Sequence, residues 1–166
     1  WPTKTTTIDI GSTAVLKANN IIVKAQAEDK TFTELIGADS QISNFVIEPL
    51  QNRLAETVAL PVKVLVRTSE AFVTVNSGAQ LIGSAGVSVE AVATTQSKGL
   101  AQNSYVSIGY VQAAATAKVD ILSGASINAG EAVKIGSEGN AEASITTETE
   151  GTKSSSVGLS LAVDHT

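Results

Sequence analysis

The stretch VTVNSGAQLIGSAGVSVEA at residues 73–91 returns as VDILSGASINAGEAVKIGS at residues 119–137, 46 positions later. The likeness extends without a gap over 60–91 and 106–137. Val62, Val64, Val73, Val75, Leu81, Val87 and Val89 fall opposite Ile108, Tyr110, Val119, Ile121, Ile127, Val133 and Ile135, and Ser-Gly-Ala recurs at 77–79 and 123–125. An earlier copy opens at Ile8, with Ile10, Ala14, Leu16, Ile21 and Val23 in the apolar places and one residue deleted. A further copy opens at 157–166, where Leu159, Leu161 and Val163 match Val106, Ile108 and Tyr110. Self-similarity at a period of roughly 20–50 residues marks a repeat architecture.

Within each copy the apolar period is two. VTV, VSV, VDI, VKI, IDI and LSL are three-residue alternations broken by Gly, Ser, Ala or Asn, the pattern of short strands with one face inward. Strands this short are unstable alone and gain stability by stacking on their equivalents. The expected fold is therefore all-β, a parallel β-helix or solenoid. Halving the period gives coils of about 23 residues, six or seven in number, in a rod roughly 30 Å long. Ala79, Ala93, Ala117, Ala125 and Ala129 are expected in its narrow interior, and Gly78, Gly83, Gly86, Gly124 and Gly130 at its corners. An antiparallel sandwich would use similar strands but does not account for a gap-free repeat.

Residues 28–57, EDKTFTELIGADSQISNFVIEPLQNRLAET, do not repeat. The copies on either side are 65 residues apart, so about 19 residues are extra. Phe45, Val46, Leu50, Leu54 and Val58 are spaced near four, which predicts a short helix with Pro49 in its first turn. One reading is an excursion that carries a recognition surface, with Phe32, Phe45 and Arg53 as its anchors. The other is a flap that shields the side of the rod.

Composition removes several functions. The net charge is −5 with no run of Lys or Arg, so the basic stripe of a nucleic-acid binder is missing. No stretch nears the roughly 20 apolar residues of a membrane-crossing helix. The chain has no Cys and a single His, His165, which leaves little for zinc-thiolate, thiol or His-based chemistry. Asp9, Asp120 and Asp164 sit on separate strands, and Lys24, Lys63, Lys118 and Lys134 are spread singly. That scatter does not supply the convergent acid–base group of a carbohydrate-active enzyme. GSAG and SGAS lack the Lys-Ser/Thr continuation of a phosphate loop. The threonines form no ladder, since Thr74 has Asp120 as its repeat partner and Thr68 has Ala114. No cofactor or metal is expected.

Units such as AKVDILSGASINAGEAVKI and SSVGLSLAVDHT resemble the large β-strand-repeat surface adhesins of bacteria, of the filamentous-haemagglutinin type. The resemblance covers 1–25 and 60–166 and leaves out 28–57. It implies a right-handed parallel β-helix, exported to the cell surface as a rigid stalk, with host or neighbouring-cell glycans or proteins as partners. It carries over no catalytic or binding residue. The chain opens at Trp1 with no Met and closes within a repeat, so a segment of a longer chain is expected. Two other classes stay open. One is a carbohydrate-active or polysaccharide-binding β-helix module, which needs carboxylates or bases gathered on one face. The other is a trimeric phage-tail or spike segment. Unpaired strand edges at the ends of a solenoid further predict monomers that associate end to end.

Overall fold

The computed structural model describes residues 2–36, 62–103, 106–149 and 157–165. Its elements are all strands: β1 (Thr3–Ile10), β2 (Val15–Ile36), β3 (Val62–Val75), β4 (Gln80–Asn103), β5 (Val106–Ile121), β6 (Ser126–Ala129), β7 (Ala132–Thr149) and β8 (Val157–His165). They form two parallel sheets. The first has the order β1-β3-β5-β8. In the second, β4 lies between β2 and the pair β6 and β7. The chain crosses from one sheet to the other and back, and β6 and β7 together take the place beside β4 that one strand takes elsewhere.

The repeat is realised residue for residue. Val62 pairs with Ile108, Val64 with Tyr110, Val73 with Val119 and Val75 with Ile121. Leu81 pairs with Ile127, Val87 with Val133 and Val89 with Ile135. In the earlier copy, Ile8 and Ile10 pair with Val73 and Val75. Leu16, Ile21 and Val23 pair with Leu81, Val87 and Val89, and the register shifts between Ala18 and Asn20. That irregularity is the one-residue deletion seen in the alignment. It lets both halves of β2 keep their apolar residues inward, which an uncorrected slip would have reversed.

The size of the unit differs from expectation. β3 meets β5, and β4 meets β7, one full 46-residue step on, as in the Gln96–Glu142 side-chain pair. No ladder joins residues 23 apart among the described strands. The step therefore holds two long strands rather than two short coils, and the six or seven coils shrink to four strands in the first sheet. Short alternations had suggested short strands, yet β4 runs for 24 residues. Its inward row continues as Val87, Val89, Ala91, Ala93, Thr95 and Ser97, all buried. Small and hydroxylated residues prolong the alternation instead of ending it. The last copy also moves: Ile108 and Tyr110 pair with Leu159 and Leu161, two places from the expected alignment. A shift of two preserves the face, so periodicity does not reveal it.

Glu28 to Ile36 continue β2 and pair with Thr94 to Gln102. The extra residues thus fall between Ile36 and Val62. The predicted helix around Pro49 lies outside the described residues.

The core is graded along the strands. Near the turns it holds Ile10, Ile21, Val73, Val75, Leu81, Val87 and Val89; farther along it is mostly alanine, Ala25, Ala27, Ala71, Ala91, Ala93, Ala113 and Ala115, with Leu65, Val66 and Val111 beyond. In the narrow half, hydroxyls reach the backbone of the opposite sheet. Thr6 Oγ1 donates to the Gln26 carbonyl at 3.0 Å, Ser69 Oγ to Thr94 at 3.0 Å, and Thr95 Oγ1 to Ala114 at 2.6 Å. So short a reach requires the sheets to lie nearer than the roughly 10 Å of ordinary face-to-face packing. Ala79 and Ala93 are fully buried, and Ala117, Ala125 and Ala129 pack against the core, as expected of a narrow interior.

The turns between the sheets stack as well. Ala14, Ala79 and Ala125 each donate a backbone bond, 3.0 Å long, to the carbonyl three residues earlier. Gly78 and Gly124 have φ of 89° and 91° at the third position, as a type II turn needs. Thr13 holds that place in the first copy without positive φ, so the hydrogen bond recurs while the backbone hand does not. Asn76 ties two turns together: its Nδ2 donates to the Ile10 carbonyl at 3.1 Å and to Asp9 Oδ1.

Gly124→Ala forces a left-handed alanine and sets its Cβ 2.8 Å from Ser77 Oγ. It should cost about 1–2 kcal/mol in urea unfolding. Gly136→Ala, with nothing within 4 Å of the new Cβ, should leave the midpoint unchanged or raise it. Thr95→Val should cost about 1 kcal/mol by removing one bridge between the sheets.

Candidate binding face

β2, β4 and β7 turn their outward residues onto one open surface. Behind the irregularity in β2, Asn20 and Gly86 come together, with the Gly86 N–H donating to Asn20 Oδ1 at 3.2 Å. Ser84 Oγ donates to Asn19 Oδ1 at 2.8 Å. Small residues at Gly86 and Ala132 leave a shallow depression of 260 Å³, walled by Asn20, Ile22, Ser88 and Lys134. A second, of 110 Å³, lies farther along the same strands between Glu90, Val92, Lys134 and Glu138. Ile22 is 75% exposed, the most open large apolar side chain among the described residues. It stands beside the side chains of Asn20, Ser88 and Lys134.

Lys134 separates the two depressions. Its Nζ lies 2.7 Å from Glu90 Oε1, which also accepts from Ser88 Oγ at 2.7 Å. The Lys134 hydrogen bond, followed by that from Ser88, holds the Glu90 carboxyl below its ordinary value of 4.5. The Glu90 bond in turn raises Lys134 above 10.5. A carboxylate stabilised in this way is a weaker base than a free one. Glu90 is therefore suited to accepting hydrogen bonds rather than to taking protons. Glu142, lower on the same face, is likewise held down by Gln96 and Lys98.

A different polar group lies inside. Asp29 occupies an inward place of β2, opposite Thr95, with its side chain only 4% exposed. Oδ1 accepts from Thr31 Oγ1 at 2.7 Å and lies 3.9 Å from Lys4 Nζ. Arg67 of the first sheet reaches across to place Nη1 3.9 Å from Oδ2. Neither Oδ2 nor Arg67 Nε makes a hydrogen bond. This contact is electrostatic, and it joins the two sheets.

Phe32 lies in β2 with its backbone paired to Lys98; Phe45 and Arg53 fall outside the described residues. The residues that do form the face are Ile22, Ser88, Glu90 and Lys134. One signal for them was present, since the adjacent isoleucines of NNIIVKA force one apolar side chain outward from a strand of period two. The Glu90–Lys134 pair had none, because it lies on a diagonal between outward positions that the repeat leaves free, Lys134 being laddered to Ser88 and Glu90 to Gly136. Among the described residues, no three His, Cys, Asp or Glu side chains gather as metal ligands would. No family model matches the chain, and no curated protein and no solved structure matches it.

Two results should separate these ion pairs. The contribution of Glu90 to stability is present above pH 4.5 and is lost as pH falls through its lowered value. That of Lys134 is present below 10.5 and is lost as pH rises through its raised value. The Glu90 carboxyl carbon, followed by NMR, should titrate below 4.5 and move up toward it in Lys134→Met. Arg67→Met should cost about 1–3 kcal/mol by leaving the buried Asp29 with only the exposed cation of Lys4, whereas Lys134→Met should barely move the unfolding midpoint.

Proposed function

We propose that the chain is a non-catalytic segment of a secreted bacterial cell-surface adhesin, a right-handed parallel β-helix that serves as a rigid stalk and presents a binding face. The observation that carries this reading is the return of the chain to the same two parallel sheets, in register, on successive passes. Parallel crossovers in one sheet are right-handed in about 98% of cases, which favours that hand. A stack of this kind gains stability from nearest neighbours and resists bending along its axis, the mechanical property that a stalk needs. Carboxylates on its outside are engaged one at a time, Glu90 with Lys134, Asp120 with Lys118 and Glu142 with Lys98. That favours contact over catalysis.

The face around Ile22 and the Glu90–Lys134 pair suits a glycan or protein that offers an apolar patch beside hydroxyls or amides. The segment between Ile36 and Val62, with Phe45 and Arg53, is the second place for such contact. A binding screen against glycans and matrix proteins tests the reading with three proteins: the unaltered chain, Ile22→Asp, and a chain with 37–61 replaced by a Gly-Ser link. Binding that weakens about tenfold in Ile22→Asp, equal to 1.4 kcal/mol, assigns it to the face. Loss only with 37–61 assigns it to that segment. A chain that is folded by circular dichroism and binds nothing in the screen is left with the stalk role alone.

A further inference from the structure

We propose that Asp29, Arg67 and Ser97 enclose a polar site between the two sheets and that it binds one water molecule. The inference does not depend on the adhesive reading. Asp29 and Ser97 face inward from β2 and β4, the Asp29 side chain 4% exposed and Ser97 fully buried. Arg67 reaches toward them from β3, in the opposite sheet. Each of the three presents a buried polar atom that makes no hydrogen bond within the protein: Asp29 Oδ2, Arg67 Nε and Ser97 Oγ. Buried polar groups in folded proteins are paired in the great majority of cases, with protein or with ordered water. Three orphans that face one space between the sheets therefore point to a shared guest.

The spacing suits a bridge. Arg67 Nη1 lies 3.9 Å from Asp29 Oδ2, too far for a direct hydrogen bond. Nε is joined to Nη1 through the guanidinium carbon, so it lies within about 6 Å of Oδ2, the span that a water covers with two hydrogen bonds of about 2.9 Å. Ser97 stands two places along β4 from Thr95, the ladder partner of Asp29, and is itself laddered to Thr31. The nearby hydroxyls are engaged: Thr31 donates to Asp29 Oδ1, Ser69 to the Thr94 carbonyl and Thr95 to that of Ala114. None of them supplies a proton to Oδ2. The charges then select the guest. An anion would face the Asp29 carboxylate, and a cation would face Arg67 and Lys4, whose Nζ is 3.9 Å from Oδ1. Oδ2 needs a donor, Nε–H needs an acceptor, and the Ser97 hydroxyl takes either role. Water brings both functions and no charge, and three hydrogen bonds are typical of a buried one. Bound there, it ties β2 and β4 of one sheet to β3 of the other.

Relaxation dispersion of oxygen-17 and deuterium in the solvent counts long-lived internal waters, and on the full chain it tests this. Ser97→Val sets methyl groups where the guest sits and should show one such water fewer than the unaltered chain. Thr74→Val, between the buried Val73 and Val75 on the outward side of β3, should show the same number as the unaltered chain. Circular dichroism checks that both variants fold. A crystal structure of the unaltered chain gives a second reading that needs no variant: a density peak should stand at hydrogen-bond distance from both Asp29 Oδ2 and Arg67 Nε. Equal counts in the unaltered chain and a folded Ser97→Val overturn the inference. So does a crystal structure with no peak at the site, whether or not Arg67 has closed directly on Oδ2. A peak that gains anomalous signal after a bromide soak is an anion, and it overturns the inference as well.

Discussion

A parallel ladder leaves each strand with a row of unpaired N–H and C=O groups until another strand arrives beside it. Here that strand arrives one pass later, after the chain has also laid down a strand of the opposite sheet. The pairing of Val73 with Val119 and of Val87 with Val133 therefore sets one condition on everything between them. The intervening turn must bring the chain back to a matching place and with the same face inward. Ser-Gly-Ala meets that condition with a hydrogen-bonded turn at each of 76–79 and 122–125, positive φ being confined to Gly78 and Gly124. Where the first copy lacks a residue, the ladder absorbs the loss between Ala18 and Asn20 and recovers its register one residue later.

From in-register stacking follows the character of the interior. Equivalent positions lie above one another, so a column of large residues would hold the sheets apart along the whole stack. Large aliphatics gather near the turns, and the far half is mostly Ala, Ser and Thr beside Leu65, Val66 and Val111. Narrowing brings backbone near backbone, and the hydroxyls of Thr6, Ser69 and Thr95 then bond to carbonyls across the gap. Small residues bury less apolar area each, and these bridges offset part of that deficit. Asp29 and Arg67 fill the same narrow zone with opposite charges from opposite sheets. Burial of that kind gives little net stability but penalises arrangements that separate the two.

Much of the fold was legible because ladder pairing and repeat alignment are the same relation. Seven aligned pairs from Val62–Ile108 to Val89–Ile135 are seven ladder pairs, and one gap is one irregularity. The length of the strands was not legible. Ala91, Ala93, Thr95 and Ser97 look like the residues that end a strand, and only a facing sheet close by turns them into a continuous inward row. The slip of β8 by two residues was hidden for a related reason: period two makes even shifts equivalent. The pairing of 31–36 was hidden as well, since TFTELI carries little resemblance to SKGLAQ in 97–102 yet pairs with it throughout.

The candidate face was less legible still, and the cause lies in what stacking demands of each side of a strand. Inward positions must agree from pass to pass: 21, 87 and 133 are Ile, Val and Val, and 23, 89 and 135 are Val, Val and Ile. Outward positions carry no such demand. The set 22, 88 and 134 reads Ile, Ser and Lys, and 24, 90 and 136 reads Lys, Glu and Gly. A site on the outside is assembled across neighbouring columns, from residues on successive passes, so its members share no local motif. Lys134 and Glu90 are 44 residues apart in the chain and 2.7 Å apart in space. A repeat thus announces its scaffold in the residues that must match, and holds any specificity in the columns where they are free to differ.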